Sequence, residues 1–245
     1  MNYTYNYITG DPNYLNYQKL RKSLSLLSNA NNVQQWADAW VAILQKYSVQ
    51  QETFLEQSKN RENINHYFEK NDSEFINISW RLDYQEIHGF INVSETISNF
   101  RSQTLPTYKF PTSYLTDPQR FRWQPTSDIH IKLDNINQPI IAFPLIKNTT
   151  YMILDGNHRA TKALKESEPF LNGIFINREE FFKNLIFFPS NFDFYASFLA
   201  TVLNELSYLE LLNRQVNTIP QSFFPPELPH FSYSRNQWAS NVFRL

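Results

Sequence analysis

Asp155, Gly156, Asn157, His158 and Arg159 stand together inside the stretch YMILDGNHRATKAL (residues 151–164). A carboxylate and two basic groups are separated there by a glycine and an amide. An aspartate can accept a proton from a hydroxyl or hold a magnesium ion. A histidine can move a proton near neutral pH. An arginine presents a planar fork of donors that matches a phosphate or a carboxylate. The glycine is one of only four in 245 residues, and it permits a positive φ or the close approach of another group to the backbone. The set suits an anion site, with Gly156, Asn157, His158 and Arg159 as candidate binding residues, Asp155 and His158 as candidate catalytic groups, and Asp155 as the candidate magnesium ligand.

The local pattern says how such a set would be held. TTYMIL (149–154) reads as a strand that delivers Asp155 to its end. Ala160, Ala163 and Leu164, at i, i+3 and i+4, predict a helix over about 158–166, whose small residues let it sit close on a sheet. Asn157 reads as its cap. His158 and Arg159 then lie at a helix N-terminus, where a cation costs roughly 0.3–1 kcal/mol. A bound anion reverses that sign. The same residues also describe a plain structural turn, with Asp155 neutralising Arg159 and Asn157 capping.

The rest of the chain divides into four regions. Residues 1–103 read as mainly helical, after a Tyr/Asn-rich arm at 1–16. Leu20, Leu24 and Leu27, then Trp36, Trp40, Ile43, Leu44 and Tyr47, recur at helical spacing, with a break at 28–32. Ser48 and Gln51 match a capping box for a third helix, and Ile64, Tyr67 and Phe68 suit a further helical piece. No Gly or Pro interrupts 13–88. Residues 104–126, with four prolines and several aromatics, read as an irregular connection that packs through Tyr108, Phe110, Tyr114 and Trp123. Residues 127–188 read as the α/β core. It has strands at Ile129–Leu133, 139–146 and 149–154, a turn at Asn172-Gly173, a short strand Ile174–Ile176, and a helix capped by Asn177 with Glu180. Residues 189–245 read as a long helix from Phe192 to Leu212 and an extended tail. The expected class is therefore mixed α+β, a small α/β core with a helical N-terminal extension and a C-terminal helix.

Composition excludes much. With no cysteine, there is no thiolate metal site, disulfide or cysteine nucleophile. The glycine positions (10, 89, 156, 173) exclude a Walker A loop, a dinucleotide turn and a G-x-S-x-G elbow, and the five scattered histidines exclude an H-E-x-x-H zinc site. A formal net charge of -1 gives no global field for nucleic acid, which is not an expected partner. No apolar run approaches the roughly 18 residues of a membrane span. The opening residues lack the basic and apolar regions of a secretory signal, so the expectation is a cytoplasmic chain.

The segment INQPIIAFPLIKNTTYMILDGNHRATKALKES resembles the ParB/sulfiredoxin-like superfamily. In that group a strand begins after a Gln-Pro or similar dipeptide, a second strand follows, and a D/E-G-x-x-R or G-G-C-H-R turn leads into a helix. Here Gln138-Pro139 opens the first strand, Asp155 to Arg159 form the turn, and the likeness covers about residues 127–180. It implies a nucleotide-phosphate site at Gly156, His158 and Arg159. Sulfiredoxin chemistry is set aside because its cysteine position is Asn157. The free-serine kinase branch carries Asp-Gly-His-His-Arg and differs in this turn only at Asn157. The expected protein is therefore a ParB-like, nucleotide-binding one. It takes ATP or another nucleoside triphosphate with magnesium, and acts as a phosphotransferase on a small hydroxylated molecule. The alternatives are a non-catalytic nucleotide-binding or protein-interaction module, with the helical region as the partner surface, and a phosphodiesterase or nuclease. A kinase acid near the first core strand has Asp128 and Asp134 as candidates by position.

Other residues carry plainer readings. His130 and Lys132 fit the solvent side of a strand. Arg120, Phe121, Arg122 and Trp123 suit either base stacking or a pinned loop, and Trp36 with Trp40 fits a core. Glu179 and Glu180 read as acids of a helix first turn.

Overall fold

A computed structural model describes residues 16–57, 75–82, 85–103, 105–126, 138–146, 149–188, 190–211 and 216–227. The strand expected at Ile129–Leu133, the groups Asp128, His130, Lys132 and Asp134, and the helical piece at 64–68 lie outside the described residues. Six helices are present among those described: α1 (Tyr17–Ser25), α2 (Val33–Gln57), α3 (Val93–Arg101), α4 (Asn157–Lys165), α5 (Arg178–Phe181) and α6 (Asn191–Leu211). The strands are β1 (Phe75–Leu82), β2 (Gln85–Asn92), β3 (Tyr108–Pro111), β4 (Phe121–Arg122), β5 (Ile140–Ile146), β6 (Thr150–Asp155) and β7 (Phe170–Phe175). The class is mixed α+β.

β1 and β2 form an antiparallel hairpin. The other strands make one mixed sheet in the order β3-β7-β5-β6-β4. β5 is antiparallel to β6 and parallel to β7, and all seven of its residues are buried. Successive side chains of a strand point to opposite faces, so β5 feeds two cores. Ile141, Phe143 and Leu145 join a large core with α1, α2, the hairpin, α3 and α6. Ile140 and Ala142 join a smaller one with Ala160 of α4, Phe110, Leu115, Phe121 and Ile153. Pro144 is tolerated because the β5–β7 ladder ends at the pair Ala142 and Phe175, one register short of a needed donor.

α6 runs through the large core and is apolar nearly all round, as a buried helix must be. Ser190 and Asp193 cap it reciprocally: the Ser190 hydroxyl donates to Asp193 at 2.6 Å and the Asp193 N–H donates back at 3.1 Å. The N-terminal helices pack by the expected stripe, Leu20 and Leu24 on α1, then Trp36, Ala37, Trp40 and Leu44 on α2. Both indole N–H groups donate to the Phe223 carbonyl, at 2.8 and 2.9 Å, and so tie residues 216–227 to α2. Trp36 and Trp40 are core residues, each 0% exposed.

Several local expectations are corrected. Phe75–Leu82 and Gln85–Asn92, within the region read as helical, form the hairpin. Ile76, Ile78, Trp80 and Leu82 alternate with polar residues, and that period of two outweighs the absence of Gly and Pro. Ser48 opens no helix: α2 continues through it, and its hydroxyl donates to the Gln45 carbonyl at 2.9 Å. A capping box works only where the preceding backbone is not already helical. Asn172-Gly173 is no turn but the middle of β7, because Gly173 is held by ladders to Tyr108 on one side and Ile140 on the other. The connection at 104–126 supplies both edge strands of the sheet. Phe110 and Phe121 are buried there, Tyr114 and Trp123 partly so, while Tyr108 on the edge strand remains 54% exposed.

Gly89 is where β2 crosses α6. A Cβ there would stand 2.4 Å from the Ser197 backbone nitrogen, so the hairpin can lie on the helix only without a side chain. Gly89→Ala should cost about 1–3 kcal/mol through overpacking, measured by chemical denaturation. A variant as stable as the parent would show that the hairpin does not depend on this crossing.

Candidate functional site

β6 ends at Asp155, opposite Ile141 of β5. The chain then turns through Gly156, which has φ 105° and ψ 17° and occupies the N-cap position of α4. The backbone is left-handed, and a Cβ would lie 2.6 Å from Ile140 Cγ2 and 3.0 Å from the Arg159 guanidinium. The turn therefore fits under Arg159 and against the first residue of β5. The small-residue face of α4 completes the packing, with Ala160 and Ala163 buried.

Asn157 does not cap the helix, which corrects its expected role. The cap position belongs to Gly156 and carries no side-chain hydrogen bond, because glycine has no side chain to accept one. The Asn157 carbonyl accepts from the Thr161 hydroxyl at 2.8 Å, and its side-chain Oδ1 is buried without a partner.

Arg159 is 8% exposed. Its guanidinium donates to Asp155 Oδ2 at 2.9 Å and to the Pro139 carbonyl at 3.2 Å. One side chain thus joins the approach to β5, the end of β6 and the first turn of α4. Its Nε is buried and has no partner. A second guanidinium, that of Arg101 at the end of α3, donates to the same Asp155 Oδ2 at 2.8 Å. Among the described residues no ion pair links either arginine to another carboxylate. Two cations share one anion, at a helix end that adds about half a positive charge. Among the described residues the turn carries a positive surplus.

His158 is exposed and points along the outer side of α4, with its Nδ1 3.3 Å from the Thr126 hydroxyl. The Thr126 N–H donates to the Thr161 hydroxyl at 3.0 Å, which lays the end of the aromatic connection over the helix start. Arg120 instead packs on Tyr114, 4.2 Å from its ring, and Trp123 donates to the Leu115 carbonyl at 2.8 Å. The pair reads as a pinned loop. Asn177 caps α5 as expected, accepting from the Glu179 and Glu180 N–H groups.

The structure therefore brings Asp155, Gly156 and Arg159 into direct contact and leaves His158 facing outward. Asp155 Oδ2 is shared by two guanidiniums, and no group of three His, Asp or Glu able to hold a metal occurs among the described residues. Arg101 and Thr126 were not foreseen. Arg101 is separated from Asp155 by 54 residues, and no spacing rule links them. A basic residue in a helix last turn satisfies the dipole by itself, so the sequence offered no reason to look further.

Comparison of the chain with family models, with curated proteins and with solved structures yields no match.

Asp155→Asn should leave Arg159 buried without its carboxylate partner, holding only the neutral Pro139 carbonyl, and cost about 3–5 kcal/mol, measured by urea denaturation. The double variant Asp155→Asn with Arg159→Met removes both charges and should recover part of that loss. A cost below about 1 kcal/mol for the single variant would mean that the pair does not hold the turn.

Proposed function

We propose that the turn from Asp155 to Arg159 binds the phosphate groups of a nucleotide. The observation that supports this most is the convergence of Arg101 and Arg159 on a single carboxylate oxygen, at 2.8 and 2.9 Å, at the start of a nine-residue helix. A cluster with more cations than anions is relieved by an anionic ligand. The first N–H groups of α4 have no acceptor inside the helix and point the same way. The strand–turn–helix–strand order of β6, α4 and β7, and the Gln-Pro opening of β5, support the ParB/sulfiredoxin-like reading. In this reading His158 and the backbone at Gly156 and Asn157 contact the phosphates, and Arg159 lends charge from its buried position.

The clamped state of Asp155 favours binding over phosphotransfer. A carboxylate that accepts two guanidinium bonds is poorly placed to take a proton from a hydroxyl. Asp155 is then the counter-ion that shapes the turn. Transfer of a phosphoryl group to a hydroxylated acceptor is the further reading, and turnover is its measure.

Titration calorimetry with ATP, CTP, ADP and inorganic phosphate, with and without magnesium, is the experiment. ATP or CTP should bind, and affinity should fall as salt rises. Arg159→Ala leaves Asp155 paired with Arg101, so the site keeps a neutral pair, and binding should weaken about tenfold or more. Release of ADP in the presence of candidate hydroxyl acceptors would add catalysis. If no phosphate-bearing ligand binds the folded protein, the proposal fails.

A further inference from the structure

Arg101 and Arg159 reach the same oxygen under different constraints. Arg159 is 8% exposed and holds a second acceptor, the Pro139 carbonyl. Moving it would break the junction of β5, β6 and α4. The Arg101 side chain is 47% exposed, and among the described residues Asp155 Oδ2 is its one hydrogen-bond acceptor. An exposed ion pair is worth little and is readily exchanged, whereas a buried guanidinium is not. Charge balance points the same way. With two cations and one carboxylate, an incoming anion is best matched if one cation is given to it and the other stays. Arg159 Nε, buried in the same turn, is a donor without an acceptor.

We infer that Arg101 is the anion-capturing residue of the turn. It leaves Asp155 for a phosphate of the ligand, while Arg159 remains on Asp155 and Pro139. This rests on reading the turn as a phosphate site. It also gives the N-terminal region a part in that site. Asn92, the last residue of β2, caps α3, accepting from the Glu95 N–H at 3.0 Å. Anion capture by Arg101 therefore engages the far end of the helix that continues from the hairpin.

The test is calorimetric titration of the full chain with inorganic pyrophosphate and with ATP, at low and high salt, for the parent, Arg101→Gln and Arg101→Lys. Arg101→Gln should bind both ligands about tenfold more weakly and with a shallower salt dependence. Its melting temperature without ligand should stay close to the parent's. Arg101→Lys, which keeps the charge without the fork, should recover part of the affinity. Unchanged affinity in Arg101→Gln, with the parent binding normally, overturns the role of Arg101 and leaves the phosphate reading standing. Equal loss of affinity and of melting temperature in both variants assigns Arg101 a structural role and also overturns it. A parent that binds neither pyrophosphate nor ATP removes both.

Discussion

A single carboxylate oxygen holds the candidate site together. Asp155 Oδ2 accepts from Arg159 below and from Arg101 at the side. A guanidinium as buried as that of Arg159 cannot stand unpaired, so the end of β6, the approach to β5 and the start of α4 have one mutual arrangement that satisfies it. Gly156 follows from that arrangement. The backbone must pass between Ile140 and the guanidinium, and a side chain would collide with both.

The scaffold around this junction explains why it can be rigid on one side and open on the other. β5 is buried on both faces and divides its side chains between two cores. The larger core anchors the sheet to α6 and to the N-terminal helices, and the smaller one seats α4. The inner parts of the turn, Gly156 and Arg159, belong to this packed interior. His158 and Arg101 stand at its surface. Were the turn to bind an anion as proposed, the buried charge would already be ordered and only the exposed groups would pay an ordering cost.

Legibility tracked the range of the interaction. β5, β6 and the helices α1, α2 and α6 were readable because burial of one face imposes a period on neighbouring residues. The hairpin is legible too, in the alternation from Ile76 to Leu82, a signal that reading 1–103 as mainly helical left out. Ser48 and Asn157 misled for the opposite reason. Each has the chemistry of a cap, yet a cap depends on the backbone before it, already helical at Ser48 and preset to positive φ by Gly156 ahead of Asn157. Asn172-Gly173 has turn chemistry, but pairing on both sides of β7 overrode it.

By itself the sequence determined the mixed class, the strand–turn–helix around Asp155, and the opposition of Asp155 and Arg159 four residues apart. All of these follow from spacing within a few turns of chain. Only the tertiary structure decided that Arg159 faces inward, that His158 faces out, and that Arg101 comes across from α3 to share the same carboxylate. The reason is geometric. A charge's partner is set by where whole elements pack, and packing of α3 and α4 on one sheet brings together residues that no local periodicity connects.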